Sequence, residues 1–179
     1  MGAAAGAVAA AAPAWAVQGD YSQDEIVRAA QRFFGAGAEG VAAVVAHVFH
    51  DHGRPVGYIE GGEGSGALGV GLRIGDGKLT LLRRVFEPRV YWRGPSIGFD
   101  TGGNASRVFT LIYGMTDPNQ IFQRFPGVEG SAYFIGGVGV NYQHAEGITL
   151  APMRAGVGLR LGANVGYLAY SRRRYGLPF

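Results

Sequence analysis

The chain has 179 residues, with 16 Lys or Arg against 13 Asp or Glu, a formal net charge of +3 and no cysteine. That length fits one domain with a real core; the missing cysteine removes disulfides, thiolate nucleophiles and cysteine metal sites; and the mild charge falls short of the concentrated basic face that nucleic acid requires. Glycine, at 32 of 179 residues, far exceeds the roughly 7% of average usage without a collagen period or a linker's serine and proline, so it must lie inside ordered structure.

Residues Met1 to Ala16 form an apolar run of small residues ending in Ala14-Trp15-Ala16, the small-x-small pattern of a signal-peptidase site. The spacing predicts cleavage after Ala16 and export to the periplasm, leaving 17–179 as one domain. No basic segment precedes the run, so either the translation start lies further upstream or the run is a disordered Ala/Gly tail and not an export signal. At 16 residues the run is shorter than the ~20 apolar residues of a membrane-spanning helix.

From Tyr21 to Gly53 the apolar period is helical. Ser22 with Glu25 makes a capping box, because hydroxyl and carboxylate can each satisfy an orphan amide of the first turn. Ile26, Val27, Ala30, Phe33 and Phe34 then share a face. A second helix starts near Ala38, carries Val41, Val44, Val45, Val48 and Phe49, and ends at Gly53 and Pro55. Helices are therefore expected over about 22–52.

After Val56 the period becomes two. Leu68, Val70, Leu72 and Ile74 alternate with glycine and Arg73, and Asp76-Gly77 reads as a hairpin turn into Lys78 to Leu82. Val90 to Asp100 is a further strand, and Ala105 to Met115 is apolar enough for cover on both faces. Asp117-Pro118 opens a short helix whose buried side is Ile121, Phe122 and Phe125. Gly130 to Tyr142, Gly147 to Leu150, Met153 to Leu161 and Asn164 to Tyr170 complete the strands, with Ala155, Val157 and Leu159 facing one way and Arg154, Gly156 and Gly158 the other. The expected fold is mainly β: a small antiparallel, glycine-rich barrel of about 8–10 strands over about 56–171, with two N-terminal helices and one short inserted helix. Glycine at every second position permits sharp curvature and close backbone approach.

Several motifs carry candidate chemistry. Gly94-Pro95-Ser96-Ile97-Gly98 matches G-x-S-x-G, but strand-like residues follow it instead of a helix, so a bend is the better reading. A hydrolase using Ser96 would need His144 as its base. Gly35 to Gly40 matches G-x-G-x-x-G, yet a helix precedes it where a dinucleotide site needs a strand. His47 and His50, with Asp51 and His52, form the only metal-like cluster; lacking an evident fourth ligand, they read first as a helix C-terminus. Glu60, Glu63, Asp100 and Glu129 offer no general acid and base pair and read as salt-bridge partners of the arginines. No catalytic residue, cofactor or metal is expected.

Arg83, Arg84, Arg89 and Arg93 interleave with Phe86, Tyr91 and Trp92. Guanidinium forks suit phosphate or carboxylate, and the aromatics suit a lipid interface or a sugar face. The ligand-binding candidates are Arg84, Arg89, Tyr91, Trp92 and Arg93, facing an anionic lipid or envelope polysaccharide. Arg172, Arg173 and Arg174 read as an anionic-surface contact or a solvated tail.

The segments YWRGPSIGFDTGG, TLIYGM, FQRFPGVEGSAYFIGGVGVNY and ITLAPMRAGVGLRLGANVGYL resemble the EipA-type envelope-integrity family of alphaproteobacteria. The resemblance runs from about Tyr21 to Tyr170 and implies a small, soluble, exported β-barrel needed for envelope integrity, with no established catalytic residue. More distantly, the order of glycine-rich strand, S-I-G-F-D strand, L-I-Y-G-M, helix and G-V-E-G is similar to SYLF-type lipid-binding domains. The expected function is a non-enzymatic periplasmic protein that binds a lipid, envelope component or partner. The alternatives are an eight-stranded outer-membrane barrel and a hydrolase using Ser96.

Overall fold

The computed structural model describes residues 20–35, 39–68, 70–82, 87–96, 104–155 and 166–174. The leader, the centre of the G-x-G-x-x-G stretch, Arg83, Arg84, Phe86, Asp100 and the glycines of 156–165 lie outside the described residues.

Helix α1 (Gln23–Phe34) starts where the sequence puts it. The Glu25 amide donates to Ser22 Oγ, while Glu25 Oε2 accepts from the Ser22 amide at 2.8 Å, so both halves of the capping box form. Ser22→Ala is expected to cost about 1 kcal/mol, read as a fall of a few degrees in a circular-dichroism melt. Helix α2 (Val41–His52) buries Val41, Val44, Val45 and Val48 and ends at Gly53, whose φ of 75° is a left-handed cap.

The strands are β1 (Gly57–Leu68), β2 (Val70–Leu81), β3 (Arg89–Ser96), β4 (Asn104–Tyr113), β5 (Arg124–Pro126), β6 (Tyr133–Ile135), β7 (Val138–Val140), β8 (Gln143–Ala145), β9 (Ile148–Ala155) and β10 (Tyr167–Ser171). They pair antiparallel in the order β5-β10-β3-β2-β1-β4-β9-β7-β6, with β8 following β7 along β9. The two ends of this sheet meet. Gly127 bridges Gln143, and the Val128 amide donates to the Tyr142 carbonyl at 2.9 Å, which joins β5 to β8 and closes a barrel.

Side chains alternate across this wall, so it separates two cores. Inside the barrel, Ile59, Leu79, Val90, Trp92, Val108, Ile112, Phe125, Leu150 and Tyr170 pack together. Outside, α1 and α2 cover β4, β7 and β9 through Phe109, Leu111, Val138, Val140 and Met153. Strand β4 feeds both cores, as its unbroken apolar run leads one to expect.

Four local expectations differ from what forms. Asp76-Gly77 is no turn: β1 and β2 pair continuously from Gly57↔Leu81 to Leu68↔Val70. Gly77 is there for closeness, since a Cβ on it would stand 2.6 Å from the Glu60 carbonyl oxygen. Residues 130–142 are not one strand but the β6/β7 hairpin, turned by Gly136 and Gly137 at positive φ. Gly147 to Leu150 and Met153 onward are a single strand, β9, which tolerates Pro152 because its ladder to β7 and β8 is already interrupted between Val140 and Gln143. The short helix is a 3₁₀ turn, Pro118–Ile121, capped by Asp117, and Phe125 belongs instead to β5. On β9 itself, Arg154 faces the barrel interior, on the side of Glu63.

Candidate functional site

Interior-facing positions of β1, β2 and β9 bring three ionised side chains together. Glu63 accepts from Arg154 Nε at 2.7 Å and Nη2 at 3.3 Å and lies 3.4 Å from Arg73 Nε, while Trp92 Nε1 donates to its second oxygen at 3.1 Å. Asn141 accepts from Arg154 Nη1 at 3.0 Å. Side-chain exposure is 4% for Glu63 and 7% for Arg154. Burial alone would push the Glu63 carboxyl up, but the Arg154 charge and its hydrogen bonds outweigh it and hold the group below its ordinary value. One carboxylate thus serves two guanidiniums in a packed interior. Glu63 was expected as a salt-bridge partner, and that is its place.

Outside the wall the same strands present a different surface. Cross-strand register sets Arg107, Gly62, Asp76 and Tyr91 in one row and Ala105, Gly64, Ile74 and Arg93 in the next. Gly62 and Gly64 supply no side chain, and an added Cβ at either would meet nothing within 4 Å. The result is a trough along β1 of about 800 Å³, between Arg107 on the α1 side and Leu72, Ile74 and Asp76 on the other. Leu72 and Ile74 are 42% and 38% exposed. Arg107 Nη1 donates to the Phe33 carbonyl at 2.7 Å, which ties the end of α1 to the trough's wall. Arg89 pairs with Asp76, and Arg174 reaches the same carboxylate at 3.6 Å.

Of the ligand-binding candidates, Arg89, Tyr91 and Arg93 therefore line or fringe the outer face. Trp92 does not: it is 2% exposed, points into the barrel and is committed to Glu63. A strand's period of two separates Val90 and Trp92 from Tyr91 and Arg93, a signal present in the sequence. Arg84 lies outside the described residues. Sequence reasoning missed Gly62, Gly64, Leu72, Ile74 and Arg107; glycines of equal parity on β1 were the available sign. Of the tail arginines, Arg172 is bound to the 3₁₀ turn, donating to Asn119 at 2.6 Å and lying over the Phe122 ring.

His47 and His50 converge on Asp51 instead of on an ion site: His47 Nε2 lies 3.4 Å and His50 Nδ1 3.2 Å from its oxygens. Among the described residues no group of three or more His, Asp or Glu side chains could hold a metal. The Tyr142 hydroxyl donates to Asp51 at 2.7 Å, which joins α2 to the barrel seam. That bond is the first cause holding the Asp51 carboxyl below its ordinary value. Tyr142→Phe is expected to cost about 1–2 kcal/mol in urea denaturation at neutral pH. A depressed folded pKa stabilises above the unfolded value, so the cost should shrink as pH falls through Asp51's titration below about 4.

Ser96 ends β3, and the segment that would complete an elbow lies outside the described residues. His144, its only candidate base, instead faces Thr149 Oγ1 at 3.0 Å on the next strand.

These features define a class: a small antiparallel β-barrel, filled by its own side chains, covered on one side by two helices and hollowed on its outer face over β1. The chain belongs to the Envelope integrity protein A (EipA) family, which matches residues 19–179. It is similar to a β-barrel-like, uncharacterised protein from Brucella abortus known from a crystal structure, with 43% identity and a TM-score of 0.79 over 90% of this chain and 99% of that one. No curated protein matches it. Both the expected family and the expected barrel are thereby borne out. Membership gives the chain a role in envelope integrity and places it in a family not defined by an enzymatic activity.

Proposed function

We propose that the protein is an exported, non-catalytic member of the family that supports the envelope by holding a lipid or other envelope component on its outer face. The observation that carries this is the contrast between the two sides of the wall: the interior is filled by apolar side chains and a paired ion cluster, whereas among the described residues nothing fills the trough over Gly62 and Gly64. Binding sites are concave and mostly apolar, with a few polar groups to orient the ligand. No described side chain in the trough is arranged as a nucleophile with its base, so the reading is binding without turnover.

The periplasmic reading rests on the Ala14-Trp15-Ala16 leader together with the envelope-integrity family. An outer-membrane barrel needs a continuous apolar belt facing lipid, and α1 and α2 occupy the outward side of β4, β7 and β9. Among the described residues no helix is long and apolar enough to cross a membrane.

The test is to tag the full-length protein, recover it from its native envelope by osmotic shock without detergent, and analyse it by mass spectrometry for bound lipid and glycan. The expected result is release without detergent, with lipid or glycan in near-stoichiometric amount. A requirement for detergent would overturn the periplasmic reading, and a clean, empty protein would overturn the holding role.

A further inference from the structure

We propose that the trough over β1 seats one acyl chain of an anionic phospholipid, with the phosphate against Arg93 and Arg174 at its β3 side. This deepens the holding role proposed above and rests on it.

The floor is the first observation. Strand β1 turns Gly62 and Gly64 outward, between Arg107 and Ala105 on β4 and Asp76 and Ile74 on β2. With neighbouring strands about 4.8 Å apart, the walls stand roughly 9–10 Å from each other across a bare backbone. That is a slot for one extended hydrocarbon chain. Leu72 and Ile74, the exposed apolar side chains of β2, stand along its length, and covering them would remove apolar surface from water.

Charge is the second. The trough and the two hollows that adjoin it at Gly62 are lined by Arg32, Lys78, Arg89, Arg93, Arg107 and Arg174. Against these six cations the same surface offers three carboxylates, Glu60, Asp76 and Glu87, since Glu63 faces inward. The local excess equals the +3 of the whole chain, so the protein's net positive charge is gathered around its apolar slot. Asp76 meets both Arg89 and Arg174, and one carboxylate leaves a guanidinium charge over for an anion.

The same geometry decides against a polysaccharide. Sugar sites use flat aromatic faces; of the two aromatic residues among the described lining, Trp92 is 2% exposed with its indole turned inside, which leaves Tyr91 to offer a ring to the trough. Aliphatic walls and a glycine floor fit a hydrocarbon chain better than a ring.

The floor also supplies a clean test. Because a Cβ at position 62 or 64 would meet nothing within 4 Å among the described residues, Gly62→Leu and Gly64→Leu are expected to extend into the slot and not into the barrel, and their circular-dichroism melts should match the native protein's. Binding of monomeric dioctanoyl-phosphatidylglycerol to the full chain is then measured by titration calorimetry, with dioctanoyl-phosphatidylcholine as the zwitterionic control. Binding weaker by about tenfold or more in both leucine variants, together with loss of the preference for phosphatidylglycerol in Arg93→Ala/Arg174→Ala, is the expected result. Unchanged affinity in the leucine variants overturns the site, and if lipid or glycan still co-purifies from the native envelope, the broader holding role survives that failure. Equal affinity for the two lipids overturns the phosphate assignment. An envelope oligosaccharide that binds while neither lipid does overturns the ligand class.

Discussion

Replacing Glu63 with glutamine is expected to remove about 3–5 kcal/mol of folding stability, because a buried ion pair broken at one partner leaves the other charge uncompensated. For a chain of this size the fall in Tm would be roughly 10 °C. The magnitude follows from the geometry. Glu63 accepts two hydrogen bonds from Arg154 and one from Trp92, and it is the carboxylate that Arg73 faces as well. Arg154→Met should cost less, since Glu63 would keep Trp92 and Arg73, and the Arg73 side chain at 16% exposure can still draw on solvent. The double change Glu63→Gln with Arg154→Met should recover much of the single loss, giving a coupling of about 2 kcal/mol or more in a double-mutant cycle. Urea denaturation of the four proteins measures this. A Glu63→Gln loss under about 1 kcal/mol would mean the cluster is not the interior's main electrostatic tie.

The same cluster sets an acid limb. With its folded pKa depressed, Glu63 contributes its full stabilisation above the unfolded carboxyl value near 4.3 and loses it as pH falls through the folded value. Stability of the native chain should therefore fall more steeply below pH ~4 than that of Glu63→Gln, and the two curves should converge on acidification.

What the chain made legible depended on whether an element carries its own signal. Helix α1 announces itself through Ser22 and Glu25, and β4 through an apolar run with no polar face, so both appear where expected. Strand β1 has no such signal. Only Tyr58 and Ile59 are bulky in its first half, and it is a strand because β2 and β4 pair with it along both edges. Tertiary pairing also overrode the Asp76-Gly77 turn chemistry, because Gly77 answers a need for close approach that a four-residue window does not contain. The candidate site was half visible for the same reason. Arginines and aromatics near residue 90 advertised binding, but the slot they fringe is made by the absence of side chains at Gly62 and Gly64, on a strand with nothing else to mark it. Trp92 was read with Tyr91 as surface, although their opposite parity puts the wall between them.

Gly75→Ala, one strand over from the slot, is expected to be far more damaging than any change at Gly62, although both are strand glycines. A Cβ on Gly75 would fall well inside 3.0 Å of the Trp92 indole, whereas one on Gly62 meets nothing within 4 Å. The indole has no room to retreat: Gly61 lies against its far edge, where a Cβ would stand 2.6 Å from Cη2, Tyr170 packs at 5.7 Å, and Nε1 is bonded to Glu63. Overpacking costs typically 1–3 kcal/mol, and tilting the ring also breaks a buried hydrogen bond to a charged group, for a further 1–3 or so. The total is about 4 kcal/mol, while Gly62→Ala should be neutral or slightly stabilising by stiffening the unfolded chain. Trimming the obstacle separates the two costs: Gly75→Ala/Trp92→Leu should recover the steric part but not the hydrogen bond, so its stability should lie between native and Gly75→Ala. Thermal melts of the three variants decide it. A Gly75→Ala protein that melts within a degree or two of native would mean the indole does not sit against this strand, and with it would go the argument that Trp92 is unavailable to the outer face.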